Sequence, residues 1–322
     1  MLSVVVPIYN MENYLDRCMS TLLHQTRKPW EILLVDDGST DGSAQLCDAY
    51  CQQYSFVKTI HKKNGGLSSA RNAGIECASG QFITFPDPDD WTESDYFEKF
   101  TSLAETYDAD MVCTGYYIDY DNSNRAANPG AATRIMNRVE ALRALLMHPR
   151  MDGFAWNKIF RLDIIRSHQL RFIDSMGTTE DLAFTYKYLQ HCDQILFSPG
   201  TRTYHYYQRM GAATSSIYSP KKLNSLKIFE CMIRDHLDDQ LVEAAKIQFC
   251  DMSLNLLCSL PIGSQQDQEA EQRLLCGIKK YRNVYICSKN VKARRKAQMV
   301  CALVSPKMYR FLKAKLAGEN RQ

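Results

Sequence analysis

The sequence of 322 residues lacks the short motifs that define several enzyme classes. No Cys-x-x-Cys pair occurs among its 12 cysteines, which lie scattered between Cys18 and Cys301. Neither Gly-x-Gly-x-x-Gly nor Gly-x-x-x-x-Gly-Lys-Ser/Thr is present, which disfavours dinucleotide-binding and P-loop enzymes. The longest late apolar run, residues 299–304, is far too short to cross a bilayer. We therefore expect a cytoplasmic protein with reduced cysteines that is neither secreted nor membrane-spanning.

The composition indicates a folded chain with an uneven distribution of charge. With 45% hydrophobic and 23% charged residues, intrinsic disorder and collagen-like repeats are excluded. The net charge is +3, yet residues 279–322 carry 13 Lys and Arg against one acid, and 26 basic and 35 acidic residues precede them. Within this basic tail, Met308, Phe311, Leu312 and Leu316 are spaced for one helical face.

We expect the basic tail to lie on an anionic membrane surface, because a basic helix with one apolar face has the composition of such a segment. A solvated helical face or a disordered end is the plainer alternative. Nucleic acid is a third alternative, but the sequence has no aromatic nucleic-acid-binding motif, so we expect no nucleic-acid partner.

Alternating strand-like and helical patterns fill the first third of the chain. The predicted order β-α-β-α-β-α-β is typical of an α/β fold, with a mostly parallel sheet and helices on both faces. Strands are expected at residues 3–8, 32–35, 57–60, 81–85, 111–114, 195–197 and 203–207, and helices at 13–24, 43–54, 68–78, 139–147 and 180–191. Thr92 and Asp95 predict a capping box that opens a helix through residue 107, and residues 119–133 read as a loop.

Strand signals fade after about residue 219, where amphipathic helices are expected at residues 221–237 and 241–260. We therefore expect an α/β domain over residues 1–218 and a helical C-terminal region over residues 219–322. Because apolar helices in the second region can pair between chains, a homo-oligomer is one alternative for the oligomeric state.

Polar residues follow several predicted strands at the point where each strand ends. Because ligands of open parallel sheets bind beyond the carboxyl ends of the strands, these residues together predict a site. Asp37 is placed to accept hydrogen bonds from a base or ribose. Asp87 and Asp89, in an Asp-x-Asp arrangement, suit Mn²⁺ or Mg²⁺ bridging to a diphosphate. Taken alone, each motif is better explained by ordinary turns and helix caps.

These motifs resemble, in order and spacing, those of the family-2 glycosyltransferases. The matching segments are Val6-Pro7-Ile8-Tyr9-Asn10, Val35-Asp36-Asp37-Gly38-Ser39, Asn64-Gly65-Gly66-Leu67-Ser68-Ser69-Ala70-Arg71-Asn72 and Asp87-Pro88-Asp89-Asp90-Trp91. Ala155-Trp156-Asn157-Lys158 and Glu180-Asp181 are similar to later motifs of bacterial polysaccharide and cell-wall members. The resemblance implies a nucleotide-diphosphosugar transferase fold of the GT-A type, an inverting mechanism and a sugar-nucleotide donor, with UDP as its nucleotide.

Carried over by position, the resemblance also implies individual roles. Asp37 contacts the base, Arg71 holds the nucleotide, Asp89 ligates the metal, and Asp87 contacts the ribose or the metal shell. Pro7, Tyr9 and Glu12 lie along the nucleotide. Pro88 replaces the small residue expected between the aspartates, which stiffens this loop but leaves both carboxylates in place.

Asp181 is the candidate general base, because it matches the acidic position of the family that opens a helix. The plain alternative is that Glu180 and Asp181 only favour a helix N-terminus. Trp156, Asn157 and Lys158 are expected on the acceptor or phosphate side, with core packing for Trp156 and a solvated charge for Lys158 as alternatives.

The late segment Thr203-Tyr204-His205-Tyr206-Tyr207-Gln208-Arg209 resembles the aromatic and basic segment of the family. It implies His205 as a metal or diphosphate ligand and Arg209 as a phosphate donor group. A satisfied structural histidine is the alternative for His205. Relatives often carry Arg where Tyr207 stands.

The expected function is metal-dependent transfer of a sugar to a glycan or lipid-linked acceptor in the synthesis of surface polysaccharide or cell-wall glycan, at the inner face of the cell membrane. A phosphohydrolase with an aspartyl nucleophile is a second hypothesis, which Trp91 disfavours because that class has Thr or Val at this position. A non-catalytic, membrane-associated scaffold that binds sugar nucleotides is a third.

Overall fold

The computed structural model describes residues 1–120, 123–128, 131–147, 150–208, 220–235, 238–260 and 265–319. The chain divides into two compact units, Met1–Asp174 with Glu180–Ala212, and Ser175–Thr179 with Ala213–Gln322. The boundary that we expected after residue 218 falls among residues that the structure does not describe, and it stays a prediction.

The first unit is built on a ten-stranded sheet in the order β3-β2-β1-β4-β9-β6-β10-β5, with β7 paired to β6 and β8 to β10. The strands are β1 Leu2–Ile8, β2 Glu31–Asp36, β3 Val57–His61, β4 Phe82–Thr84, β5 Trp91–Thr92, β6 Met111–Tyr120, β7 Ser123–Ala126, β8 Arg134–Met136, β9 Lys158–Arg161 and β10 Ile195–Tyr207. Strands β1 to β4 pair in parallel, as do β6 and β10, while β9 lies antiparallel between β4 and β6. The predicted α/β fold with a mostly parallel sheet is therefore confirmed.

Helices α1 to α7 belong to this unit, and their bounds are α1 Leu15–Leu23, α2 Ser43–Gln53, α3 Leu67–Cys77, α4 Tyr96–Thr106, α5 Arg138–Ala144, α6 Leu162–Ser167 and α7 Glu180–Leu189. All residues of β1 and β2 are buried. Burial of both faces explains why each strand reads as a continuous apolar run. Helix α3 approaches β1 so closely that a Cβ on Gly74 would collide with Val5.

Several expected elements differ from the observed ones. The predicted capping box at Thr92 is wrong, because Thr92 pairs with Tyr204 in the sheet and α4 begins only at Tyr96. The N-terminus of α4 is instead satisfied by Gln25, whose Oε1 accepts the Phe97 N–H at 3.0 Å. The expected loop over residues 119–133 contains β7, and the two expected late strands form one irregular strand, β10.

The second unit is helical, and its helices are α8 Lys227–Asp235, α9 Asp239–Ser259, α10 Gln265–Cys287, α11 Ala293–Val304 and α12 Pro306–Glu319, preceded by a 3₁₀ helix at Pro220–Leu226. Thr178 joins this unit because its N–H donates to Ser225 Oγ at 2.9 Å. Asp251 of α9 accepts hydrogen bonds from Tyr285 and Arg295, which ties α10 and α11 to α9. In the part of the chain that the structure describes, no helix is long and apolar enough to cross a membrane.

Candidate active site

The carboxyl ends of β1 and β2 form one edge, because the motifs that follow them are joined by hydrogen bonds. Asn10 has a positive φ of 53°, and its side-chain oxygen accepts the Thr40 N–H at 2.8 Å. Glu12 Oε2 accepts the Gly42 N–H at 2.6 Å. Pro7 is buried inside β1, whereas Tyr9 is 45% exposed beyond its end. Of the three residues expected along a nucleotide, Tyr9 is exposed, Pro7 is buried, and the Glu12 carboxylate is hydrogen-bonded to the backbone before α2.

Asp37 joins this edge to the glycine-rich segment before α3. Its buried carboxylate accepts the Gly66 N–H at 2.7 Å and the Gly65 N–H at 3.0 Å, and it also contacts the Lys62 ammonium. Gly66 has a φ of +88°, a conformation that other residues rarely adopt. Asp37 therefore fixes the start of α3 from within the chain. Its contact with a base stays a prediction.

Arg71 of α3 brings together two predicted parts of the site. Its guanidinium is 1% exposed, and it donates to Asp87 Oδ1 at 3.0 Å and to Asp181 Oδ1. The guanidinium lies over the Phe172 ring, with the Arg71 Cζ 5.2 Å from the ring centroid. Burial opposes the charge, but Asp181 and Asp87 outweigh it and raise the pKa of Arg71. The cation is thus permanent and holds the Asp-x-Asp loop beside the candidate base.

Asp181 lies in the first turn of α7, and its side chain is 15% exposed. Its Oδ2 accepts the Ala155 N–H at 3.1 Å while its Oδ1 contacts Arg71. A carboxylate that is held in place yet open to solvent has the chemistry of a general base.

Negative charge exceeds positive charge around Arg71. Burial raises the pKa of Asp87 to about 7, with Asp89 and Asp181 adding to the effect and Arg71 opposing it. Burial and Asp181 likewise raise the pKa of Glu180 to about 7. Burial, Asp87 and Asp89 raise the pKa of Asp90 well above its usual range. Such an accumulation of carboxylates favours the arrival of a further cation.

The Asp87–Asp90 loop is held by residues that the sequence reasoning missed. The buried Tyr204 hydroxyl donates to Asp90 Oδ2 at 2.6 Å and accepts the Asp87 N–H at 3.0 Å. Arg17 donates to the Asp89 carbonyl at 2.6 Å and lies over the Trp91 ring, 4.2 Å from its centroid. Tyr204 is part of the noted aromatic segment, but nothing near Arg17 in the sequence signals its contact with a loop 72 residues later.

Comparison with known proteins identifies the family of this chain. The sequence model described as glycosyl transferase family 2 matches residues 3–168. The chain belongs to this family.

EpsH of Bacillus subtilis is 35% identical over 171 residues, 53% of this chain and 49% of EpsH. A poly(ribitol-phosphate) beta-glucosyltransferase of Bacillus spizizenii is 26% identical over 262 residues, 79% of this chain and 39% of that protein. The chain thus spans about half or less of these curated relatives. The crystal structure of S. aureus TarS 1-349 in complex with UDP-GlcNAc matches with a TM-score of 0.73 at 18% identity, over 99% of this chain and 92% of that one. The chain has the fold of TarS.

Both ring nitrogens of His205 lie within hydrogen-bonding distance of carboxylate oxygens. Its Nδ1 lies 2.8 Å from Asp119 Oδ2, and its Nε2 lies 2.9 Å from Glu93 Oε1. The ring is also stacked between Trp91 and Tyr117, with centroids 5.3 and 4.9 Å away. These contacts occupy both ring nitrogens, as expected of a structural histidine, and the role of His205 as a metal or diphosphate ligand stays a prediction.

Trp156, Asn157 and Lys158, which were expected on the acceptor or phosphate side, are all buried. Trp156 is 2% exposed, and the Asn157 amide donates to the Thr114 carbonyl at 3.1 Å. Lys158 is fully buried; its ammonium donates to the Phe154 carbonyl at 2.7 Å and to Asn157 Oδ1 at 2.9 Å, and burial lowers its pKa. The side chains therefore support the segment before β9 from inside and do not line an acceptor surface. Lys158 is not a solvated charge either. Arg209 lies outside the described residues.

The glycosyltransferase has hard oxygen donors for a divalent cation in Asp87 and Asp89. Within the described ranges, no group of three or more His, Cys, Asp or Glu side chains is arranged to hold a metal by itself. Two carboxylates in an excess of negative charge fit a cation whose remaining ligands come with a diphosphate. The donor set is therefore compatible with Mn²⁺ or Mg²⁺.

Proposed function

We propose that this chain is an inverting, metal-dependent glycosyltransferase. It moves a sugar from a UDP-sugar to a hydroxyl of a glycan or lipid-linked acceptor in the synthesis of surface polysaccharide or cell-wall glycan. The observation that carries the proposal is the bridge from Arg71 to both Asp87 and Asp181, because one guanidinium holds the diphosphate side and the candidate base together. The TarS complexes with UDP-GlcNAc and UDP support the donor class. The name of the Bacillus spizizenii relative, a poly(ribitol-phosphate) beta-glucosyltransferase, supports transfer to a hydroxyl of a polymeric acceptor.

In the proposed mechanism, Asp181 takes the proton of the acceptor hydroxyl. The freed oxygen attacks the anomeric carbon from the face opposite the nucleoside diphosphate, the bond from that carbon to the phosphate oxygen breaks, and the configuration inverts. Asp89 and Asp87 would hold the cation, which when bound supplies positive charge to the departing diphosphate. Arg71 keeps Asp181 oriented, and after proton transfer it retains Asp87 as its charge partner.

The donor assignment is tested by calorimetric titration of UDP, GDP and dTDP, each with and without Mn²⁺. We expect one nucleotide, UDP, to bind in a metal-dependent manner, and Asp89→Ala to abolish that dependence. Asp163→Asn on α6 serves as a matched loss of a carboxylate. If no nucleotide binds the folded protein, the transferase proposal fails.

We also propose that the basic tail attaches the enzyme peripherally to the inner face of the cell membrane. Val304, Met308 and Phe311 of α11 and α12 are 76%, 47% and 68% exposed. Lys307 next to Met308 is exposed as well, as are Lys292 and Arg294 at the start of α11. Apolar side chains at the surface among basic ones match an anionic bilayer surface, where each Lys or Arg contributes about 1 kcal/mol. A lipid-linked acceptor would be found at the same surface.

A further inference from the structure

A column of stacked aromatic rings ends at solvent next to Asp181. The Phe154 ring lies 4.8 Å from the Trp156 ring at an interplanar angle of 13°, and Trp156 lies 4.6 Å from Tyr204 at 13°. Trp156 and Tyr204 are buried, whereas Phe154 at the outer end is 37% exposed. The Tyr206 ring lies 6.5 Å from the Phe154 ring at 26°, and the Tyr116 ring lies 6.1 Å from it at 87°. The column thus leaves part of one aromatic ring exposed to solvent and rests on two buried rings.

The segment that carries Phe154 is fixed to the helix of the candidate base. Thr185 of α7 donates to the Gly153 carbonyl at 3.0 Å, and the Ala155 N–H donates to Asp181 at 3.1 Å. A Cβ on Gly153 would lie 2.7 Å from the Leu182 Cα, so the two backbones are in close contact. Bond lengths then place the Phe154 Cα no more than about 6 Å from the Asp181 carboxylate. Phe154 is therefore held in place beside the base and is not a loosely exposed side chain.

The column also has a direction. Its inner ring, Tyr204, contacts the Asp87–Asp90 loop, which is the proposed diphosphate side. Phe154 is the third ring of the column, separated from Tyr204 by Trp156. The next residue, Ala155, donates its N–H to Asp181. The outer ring consequently belongs to the side on which the base meets the acceptor hydroxyl.

We propose that Phe154 is the acceptor-binding platform, on which the apolar C–H face of a pyranose ring of the acceptor stacks. Flat aromatic surface combined with a few fixed polar groups is typical of small-molecule sites, and the adjacent polar group here is the Asp181 carboxylate. The platform makes a sugar ring the acceptor group nearest the reacting hydroxyl. This inference rests on the proposed function, since it assigns the acceptor of the same site.

The experiment measures saturation-transfer NMR on methyl β-D-glucopyranoside, methyl β-D-galactopyranoside and N-acetylglucosamine with the full chain, in the presence of UDP and Mn²⁺. At least one glycoside should receive saturation from the wild type. Phe154→Ala and the volume-retaining Phe154→Leu should reduce that signal about threefold to tenfold, whereas Phe154→Tyr should retain it. UDP affinity by calorimetry should stay the same in all variants.

Ile135→Ala is the matched control, because Ile135 is an exposed apolar residue of β8 that pairs with Leu196, at the opposite end of β10 from Tyr204. Equal signals in wild type, Phe154→Ala and Phe154→Leu would overturn the proposal, as would the absence of signal for all three glycosides with UDP bound. A wild type that does not bind UDP would instead refute the proposed function, so the two failures are distinguishable. Should Phe154→Ala fail to fold, Phe154→Leu decides.

Discussion

Arg71 and Tyr204 each connect parts of the site that are distant in sequence. Arg71 contacts acids 16 and 110 residues further along the chain, and Tyr204 contacts Asp87 and Asp90, 117 and 114 residues before it. Asp37 and Asp87 were predictable because they follow strands, whereas Arg71 and Asp181 were indicated by the resemblance to the family. Tyr204, Arg17 and Phe154 were not, because their contacts depend on which strands become neighbours in the sheet.

Tyr204→Phe should loosen the Asp87–Asp90 loop. The substitution removes the hydrogen bond to buried Asp90 and leaves the Asp87 N–H without its acceptor, so the free energy of unfolding should fall by about 1–3 kcal/mol. Metal-dependent UDP binding should weaken with it. Urea denaturation and calorimetry measure the two effects.

Tyr50→Phe provides the comparison, because the Tyr50 hydroxyl donates to exposed Asp16. Loss of this hydrogen bond should lower the free energy of unfolding by less than Tyr204→Phe does. Equal stability and equal UDP affinity of Tyr204→Phe and the wild type would show that the hydroxyl does not position the loop.

Among the elements, the parallel half of the sheet was the most predictable from sequence. Strands β1 to β4 and helices α1 to α3 agree with expectation to within a few residues, because buried parallel strands are continuous apolar runs bounded by turn residues. Strand β9 was not expected, since Lys158 and Arg161 give it a polar appearance. Only the fold shows that Lys158 is satisfied internally by carbonyl oxygens.

His61 connects the carboxyl ends of β2 and β3 to α2, and it should make stability depend on pH. Its nitrogens lie 2.9 Å from Asp36 Oδ2 and 2.9 Å from Asp48 Oδ1, and these hydrogen bonds raise the pKa of His61. A raised pKa in the folded state means that this contribution is complete below about pH 6.5 and is lost as the pH rises through the folded value. The free energy of unfolding of the wild type should therefore fall as the pH rises above about 6.5.

Urea denaturation across this rise in pH, on wild type and His61→Gln, measures the effect. The variant should show a shallower decline, while His24→Gln, which removes a ring that contacts a backbone carbonyl, should decline like the wild type. A pH dependence that is the same in His61→Gln and the wild type would contradict the assignment.

For the whole molecule, the dominant feature is the separation of charge along the chain. The tail of residues 279–322 has 13 basic residues and one acid, whereas the remainder has more acidic than basic residues. This contrast was readable from composition alone, but the exposure of Val304, Met308 and Phe311 required the structure. Exposed apolar side chains among basic ones indicate a surface that an anionic bilayer attracts by charge and then holds by burying the apolar side chains.

The enzyme should co-sediment with vesicles of phosphatidylglycerol and phosphatidylcholine, and not with vesicles of phosphatidylcholine alone. Raising the salt to about 0.5 M should weaken binding about tenfold or more, because exposed charges are screened. The double substitution of Val304→Ser and Phe311→Ser should weaken it at all salt concentrations, and Val139→Ser, at an exposed position of α5, should not. Self-association without vesicle binding would support the homo-oligomer expectation in its place.

The most direct test of the account is the rate of UDP release from UDP-glucose, UDP-galactose and UDP-N-acetylglucosamine by wild type and Asp181→Asn, with cell-wall glycan as acceptor. Asn still accepts the Ala155 N–H but cannot take a proton, so turnover should fall about 100- to 10,000-fold while UDP affinity stays within about twofold. Asp163→Asn should be as active as the wild type. Full turnover in a folded, UDP-binding Asp181→Asn would show that Asp181 is not the base and would contradict the mechanism.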